Sequence, residues 1–211
     1  CSREVNDGLL PSCQLAIGFQ GEIVVDRTIG DAAEDTRYCF FSATKPFVAS
    51  TIWQLVSEEL LDLDAPIAAL IPEFGHNEKE AITLRQVLLH TSGFPHAPMG
   101  PKVWSSSESR RRRMSEWQLN WEPGTRYEYH PTSAHWVLAE LIIEVTGRPY
   151  ADEIDRRVTG PLGIPRILGL NSDNQESMAE LSLCEGEASP DELESVFGVR
   201  EMPPSEVTDE T

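Results

Sequence analysis

The patterning of this chain changes once, near residue 42, and that change limits the folds open to it. Residues 13–27 hold two short β-branched and apolar runs separated at Gln20-Gly21, which predicts a hairpin, and Tyr38-Cys39-Phe40-Phe41 reads as a third short extended segment running into Ser42. From there helical spacing takes over. In 43–60 the apolar residues Phe47, Val48, Ile52, Leu55, Val56 and Leu60 recur on one helical face, and Pro46 falls in the first turn, where its missing N–H costs least. This reading puts Ser42 at the helix N-terminus. Leu61-Asp-Leu-Asp-Ala-Pro66 ends the helix as a turn before a short apolar segment to Phe74.

Further helices follow. Thr83-Leu-Arg-Gln86 has capping-box spacing and opens a short helix that Gly93 is placed to terminate. An Arg-rich helix is expected over 103–119, then a turn at Trp121-Glu-Pro-Gly124. Residues 133–145, with Trp136, Val137, Leu141 and Ile142 among the apolar positions and Gly147 as the stop, form the clearest amphipathic helix. A shorter one is expected over 150–158, halted by Gly160-Pro161.

Charge divides the chain again. Of the formal net charge of −18, the stretch 171–211 carries −11, with Arg200 as its one basic residue, and it reads as an acidic connector. A surface this acidic repels phosphate backbones and argues against nucleic acid or anionic membranes as partners. No apolar stretch approaches a membrane span and no leader peptide is visible, so no membrane insertion and a cytoplasmic setting are expected. Cys1, Cys13, Cys39 and Cys184 are far apart, without zinc-type spacing, and are expected as free thiols. The four arginines Arg110, Arg111, Arg112 and Arg113 are expected on a solvated helix face, paired with acidic neighbours. Because the first residue is Cys1 rather than Met and the last residues carry no stop signal, the chain is expected to be a piece of a longer one.

The residues with the clearest chemical potential are Ser42-Ala43-Thr44-Lys45. Positions three apart share a helix face, so the Lys45 amine can reach the Ser42 hydroxyl, and a helix N-terminus supplies backbone N–H groups where an oxyanion would form. Alone this motif is weak, since Ser and Lys three apart arise by chance about once in a chain of this size.

The surrounding segments raise its weight. Phe41-Ser-Ala-Thr-Lys-Pro-Phe47, Leu61-Asp-Leu-Asp-Ala-Pro66, Ile82-Thr-Leu-Arg-Gln-Val-Leu-Leu-His-Thr-Ser-Gly-Phe-Pro95 and Pro123-Gly-Thr-Arg-Tyr-Glu-Tyr129 together resemble the serine β-lactamase-related and penicillin-recognising superfamily, in its branch of class C-like esterases and D-alanyl carboxypeptidases. The resemblance covers about residues 13–170, in the family's order and spacing. It implies an α/β (α+β) fold: an antiparallel sheet flanked by helices, with a mostly helical lobe. The chain would then divide into a hairpin over 1–41, a helical lobe over 42–168 that carries the nucleophile, and the acidic connector over 169–211.

Carried over, the resemblance makes Ser42 the acylated nucleophile, Lys45 its proton-shuttling neighbour and Tyr129 the residue that trades a proton with Ser42 and the leaving group. Tyr127, two residues earlier on an extended segment, is the rival for that last role. Where the family reads Tyr-x-Asn this chain reads Tyr129-His130-Pro131, and a proline has no side-chain donor or acceptor. That places ester hydrolysis first, D-amino-acid peptidase activity second and β-lactam turnover third. His130 is a candidate substitute donor, with His135 further along the next helix; a surface or capping role is the plainer expectation for both. His96 and Trp104 are candidates to line the substrate entrance, and His90 and Ser92 are expected to hydrogen-bond backbone in the helix-to-loop turn.

The family's closing Lys-Thr-Gly or His-x-Gly strand has no counterpart here, and no lysine follows Lys102. The site is therefore expected to be incomplete, with its returning strands in a missing part, and the 211-residue chain alone is expected to be inactive and poorly soluble. The implied reaction is acyl transfer through Ser42 on a small-molecule ester or amide, with no cofactor and no metal. The alternative is an inactive binding or regulatory member of the same fold.

Overall fold

The structure, a computed structural model, describes residues 1–171, 175, 178–180, 189–197 and 200. Cys184 and most of the acidic stretch lie outside the described residues. The chain forms two compact units, one of residues 1–40 and 170–187, the other of residues 41–169 and 188–211.

The first unit opens with a short helix that the sequence reading did not anticipate, α1 (Ser2–Asn6), and continues into an antiparallel hairpin of β1 (Ser12–Phe19) and β2 (Glu22–Gly30). Gln20 and Gly21 have φ of 52° and 85°, the left-handed pair that lets a two-residue turn follow the strand twist. A bulge between Ile17 and Gly18 shifts the register, and Ile17, Phe19, Ile23 and Val24 stay largely exposed. The expected third extended segment makes no ladder; Arg37 alone forms an isolated bridge, with Met178. Cys1, Cys13 and Cys39 are free thiols.

The second unit is helical: α2 (Lys45–Ser57), α3 (Leu84–Leu88), α4 (Ser107–Glu116), α5 (Ser133–Thr146) and α6 (Tyr150–Ile154), the last unwinding into a wider turn at Asp155–Thr159. A further helix, α7 (Pro190–Phe197), forms where only a connector was expected. Its start is capped by Ser189, whose hydroxyl and amide both bond Glu192. Among the described residues no helix is long and apolar enough to cross a membrane.

The core of this unit runs between α2 and α5, where Ile52, Leu55, Val137, Leu138, Leu141 and Ile142 are buried. Phe94 joins it to the loops, edge-on to Phe74 and stacked on Trp117, each with ring centroids 5.6 Å apart. Local signals behave as their chemistry dictates at two helix ends. The Thr83 hydroxyl accepts from the Gln86 amide at 3.3 Å while the Gln86 side chain accepts from the Thr83 amide at 3.0 Å, and Gly147 closes α5 at φ 67°.

Two helix ends and the placement of the arginines differ from the sequence reading, each for a physical reason. α2 stops at Ser57 rather than Leu60 because Glu59 turns left-handed, at φ 60°. α3 is ended not by Gly93 but by His90: the amides of His90 and Thr91 return to the carbonyls of Val87 and Gln86, the two bonds of a Schellman cap. His90 takes the left-handed position of that cap, φ 56°, where glycine is usual and another residue costs about 1–2 kcal/mol. Gly93 is needed elsewhere, since a Cβ on it would meet the Trp121 carbonyl oxygen at 2.5 Å.

The third difference concerns the arginines. Arg110 is not on a solvated face: it is buried, and with Arg111 and the Ser107 hydroxyl it surrounds the fully buried carboxylate of Glu140 on α5. Arg111 reaches on to Glu144 at 2.6 Å. The cluster pins α4 to α5, and its charges are matched inside it.

Candidate active site

Ser42 does not begin an α-helix. The chain enters α2 through a tighter 3-10 turn, Phe41–Thr44, and Phe41, just before the serine, sits at φ 42°. Ser42 lies in this turn and Lys45 opens α2 three positions on, so the two side chains share a face. Lys45 Nζ donates to Ser42 Oγ at 3.1 Å. Backbone held in a left-handed conformation by an exposed phenylalanine is strain of the kind that accumulates at working sites.

Tyr129, 87 residues further along the chain, donates its hydroxyl to the same Ser42 Oγ at 2.9 Å. Its ring centroid lies 5.2 Å from Lys45 Nζ. Burial is the largest single effect on the phenol and pushes its pKa up, but the bonds with Ser42 and Lys45, and the Lys45 charge, together outweigh it and hold the pKa below the ordinary phenol value. Tyr127, 68% exposed, lies edge-on to the His90 ring and makes no bond to Ser42. The structure thus joins Ser42, Lys45 and Tyr129 and leaves the rival tyrosine outside.

Pro131 is also part of the site, through its backbone. Lys45 Nζ donates to the Pro131 carbonyl oxygen at 2.7 Å, so the ammonium has a second acceptor although the proline side chain offers none. Proline removes a backbone donor and keeps the acceptor, and only the acceptor is used here.

The histidines behave differently from the sequence reading. His130 is fully buried: its Nδ1–H donates to the Glu128 carbonyl oxygen at 2.7 Å, and its Nε2 accepts from the Phe94 amide at 3.2 Å and meets the Ser92 hydroxyl at 3.1 Å. Burial lowers its pKa to about 4. With both nitrogens bound to the framework, it has nothing to offer a substrate. His135 is not at the surface either: burial first, then the nearby Lys45 charge, lower its pKa to about 3. His96 is exposed and pairs with Glu128 at 2.9 Å, beside Tyr129 in sequence. Trp104 stacks on Trp136 and gives its indole N–H to the Met99 carbonyl at 2.8 Å, so that donor is spent inside the fold.

His90 is the residue whose part the sequence reading understated. Its carbonyl oxygen accepts from the Glu128 amide at 3.2 Å and its Nδ1 accepts from the His130 amide at 3.1 Å. Burial, then the Lys45 charge, lowers its pKa, which keeps Nδ1 available as an acceptor. A histidine in the place of a cap glycine was the available signal.

Comparison with known proteins gives the family and the fold. A family model described as Beta-lactamase matches residues 3–178. Esterase EstB of Burkholderia gladioli is 30% identical over 190 residues, covering 77% of this chain and 48% of that protein. A penicillin-binding protein homologue from Caulobacter crescentus superposes with a TM-score of 0.79 at 26% identity, over 92% of this chain and 56% of its own. EstA from Arthrobacter nitroguajacolicus Rue61a does so with a TM-score of 0.73 at 26% identity, over 83% of this chain and 48% of its own. The chain spans about half the length of these relatives. With the family model matched across most of its length and its helices and antiparallel hairpin superposing on those structures, this chain belongs to the β-lactamase family.

Proposed function

We propose that this chain carries the nucleophile and proton-transfer groups of a serine hydrolase that cleaves carboxylic esters through an acyl-enzyme at Ser42. The observation that carries this reading is the convergence of Lys45 Nζ and Tyr129 OH on one Ser42 oxygen, at 3.1 and 2.9 Å. A serine hydroxyl is inert until a base lies within hydrogen-bond reach, and a phenol beside an ammonium is such a base once it ionises.

In the proposed reaction the Tyr129–Lys45 pair takes the Ser42 proton as Oγ bonds to the ester carbonyl carbon. The carbonyl electron pair moves to oxygen, with the Ser42 backbone N–H as one donor to it. Collapse breaks the bond to the alcohol, which leaves with the proton returned from Tyr129. Water then repeats the sequence on the acyl-serine: it gives a proton to the pair, attacks, and Ser42 departs protonated.

Esters are favoured over amides because an amide nitrogen must be protonated before it leaves, and Pro131 supplies no side chain to assist there. One of the relatives, EstB, is named as an esterase, in keeping with this order. The test is labelling of the whole gene product by a fluorophosphonate, read by peptide mass spectrometry. Adduct on Ser42, lost in Ser42→Ala, together with turnover of a chromogenic short-chain ester, supports the reading. Adduct on another residue, or saturable ester binding without any acyl-serine, overturns it.

A further inference from the structure

We propose that His90 is a positioning residue for Tyr129, holding the backbone on both sides of the tyrosine so that its hydroxyl stays aimed at Ser42. The inference rests on the reading of Ser42 and Tyr129 given above. Glu128 and His130 flank Tyr129, and both are tied to this one residue: the Glu128 amide to the His90 carbonyl oxygen at 3.2 Å, the His130 amide to His90 Nδ1 at 3.1 Å. The His90 ring also lies against the Tyr129 ring, with centroids 5.0 Å apart.

Tyr129 needs such a holder. Its side chain is 40% exposed, so packing alone does not fix the ring, and its hydroxyl must stay within 2.9 Å of Ser42 Oγ to exchange a proton with it. Misplacing a reacting group by about 1 Å costs on the order of a hundredfold in rate.

The conformation of His90 is the second line of support. As the left-handed residue of the α3 cap, φ 56°, it occupies a position that glycine fills without strain. Glycine would keep the carbonyl half of the attachment and lose the Nδ1 half. Nδ1 faces an amide that can only donate, so His90 must carry its proton on Nε2 and present Nδ1 as an acceptor. An imidazole is therefore kept at a strained backbone position, where its nitrogen reaches across to the segment that bears the tyrosine.

Three substitutions separate this role from simple capping. His90→Gly relieves the backbone and deletes the acceptor. His90→Asn places an amide oxygen where Nδ1 stood, on a residue that tolerates left-handed backbone. His90→Gln carries the same amide one bond too far. Fluorophosphonate labelling of Ser42 is followed over probe concentration in the whole gene product, with urea midpoints alongside. The expected result is a labelling rate constant reduced about 10- to 100-fold in His90→Gly, with half-saturating probe concentration and urea midpoint unchanged, and recovered to within about threefold of wild type in His90→Asn. Should the glycine variant not fold, the Asn and Gln variants decide, with Gln expected to remain slow. Wild-type rates in Gly or Gln, or equal loss in Asn and the other variants, overturn the proposal. Absence of Ser42 labelling in the wild type overturns the hydrolase reading itself and this inference with it.

Discussion

The ammonium of Lys45 is bound to the backbone carbonyl oxygen of Pro131 at 2.7 Å, closer than its 3.1 Å contact with Ser42. A main-chain acceptor does not depend on the side chain that carries it. Pro131→Ala is therefore expected to label at Ser42 within about threefold of wild type, whereas Lys45→Met, which removes the proton-transfer partner, is expected to fall by about 10²- to 10⁴-fold. Labelling kinetics with a fluorophosphonate check both. A large loss in Pro131→Ala would mean that the proline ring, not its carbonyl, does the holding.

Tyr129 sets the expected pH dependence. Its pKa is depressed, so the phenolate, the form able to take the Ser42 proton, accumulates at lower pH than an ordinary phenol would allow. The labelling rate is expected to rise with pH to an inflection below about 10. Tyr129→Phe removes that inflection and slows labelling by about 10²- to 10⁴-fold. Lys45→Met moves the inflection upward, because the lowering bond and charge are gone while burial still raises the pKa. Tyr127→Phe, which touches neither Ser42 nor Lys45, leaves the profile in place. A pH profile that survives in Tyr129→Phe would assign the titration to another group.

How much of this arrangement could be read from the sequence follows from how local each signal is. The hairpin turn at Gln20-Gly21, the Thr83 and Gln86 capping box and the Gly147 stop each depend on residues within a few positions, and each was legible. Ser42 and Lys45 are three apart and were legible as a pair, although the 3-10 turn that holds Ser42 just ahead of α2 was not. The Lys45 bond to Pro131 joins residues 86 apart through a main-chain atom, which no side-chain pattern encodes. His130 looked available because histidines usually are; its burial depends on Ser92 and Phe94, almost forty residues earlier. Arg110 looked solvated for the same reason, its partner Glu140 lying on another helix.

That buried cluster predicts a stability effect. Arg110 Nε donates to Glu140 at 2.6 Å, and the same guanidinium also bonds the Trp104 carbonyl. Arg110→Ala strands part of a buried carboxylate charge that Arg111 and Ser107 only partly cover, and is expected to cost about 3 kcal/mol. Urea unfolding of the whole gene product measures this. Arg113→Ala, whose partner Glu116 is exposed, is the control and is expected to cost less than about 1 kcal/mol. Equal costs would place Arg110 among ordinary surface pairs.

Lys79 gives the last prediction, and its sign is unusual for a charged group. The side chain is fully buried, with Nζ donating to the carbonyls of His76 and Trp117, the latter at 2.7 Å, and lying 5.9 Å from the Phe74 ring centroid. Burial lowers its pKa to about 8. An unfolded lysine keeps its proton to about 10.4, so between these values the unfolded chain binds a proton that the folded chain does not. The Lys79 contribution to stability is therefore full above the unfolded value and is lost as pH falls through about 8. Stability of the wild type relative to Lys79→Met should rise from pH 7.5 to pH 10, the methionine variant removing this titration while keeping the side-chain volume. Urea midpoints of the two proteins across that range provide the measurement, and the groups common to both cancel in the difference. A difference that stays flat, or falls with rising pH, would show that the buried ammonium is held at its ordinary pKa or above by the carbonyls around it.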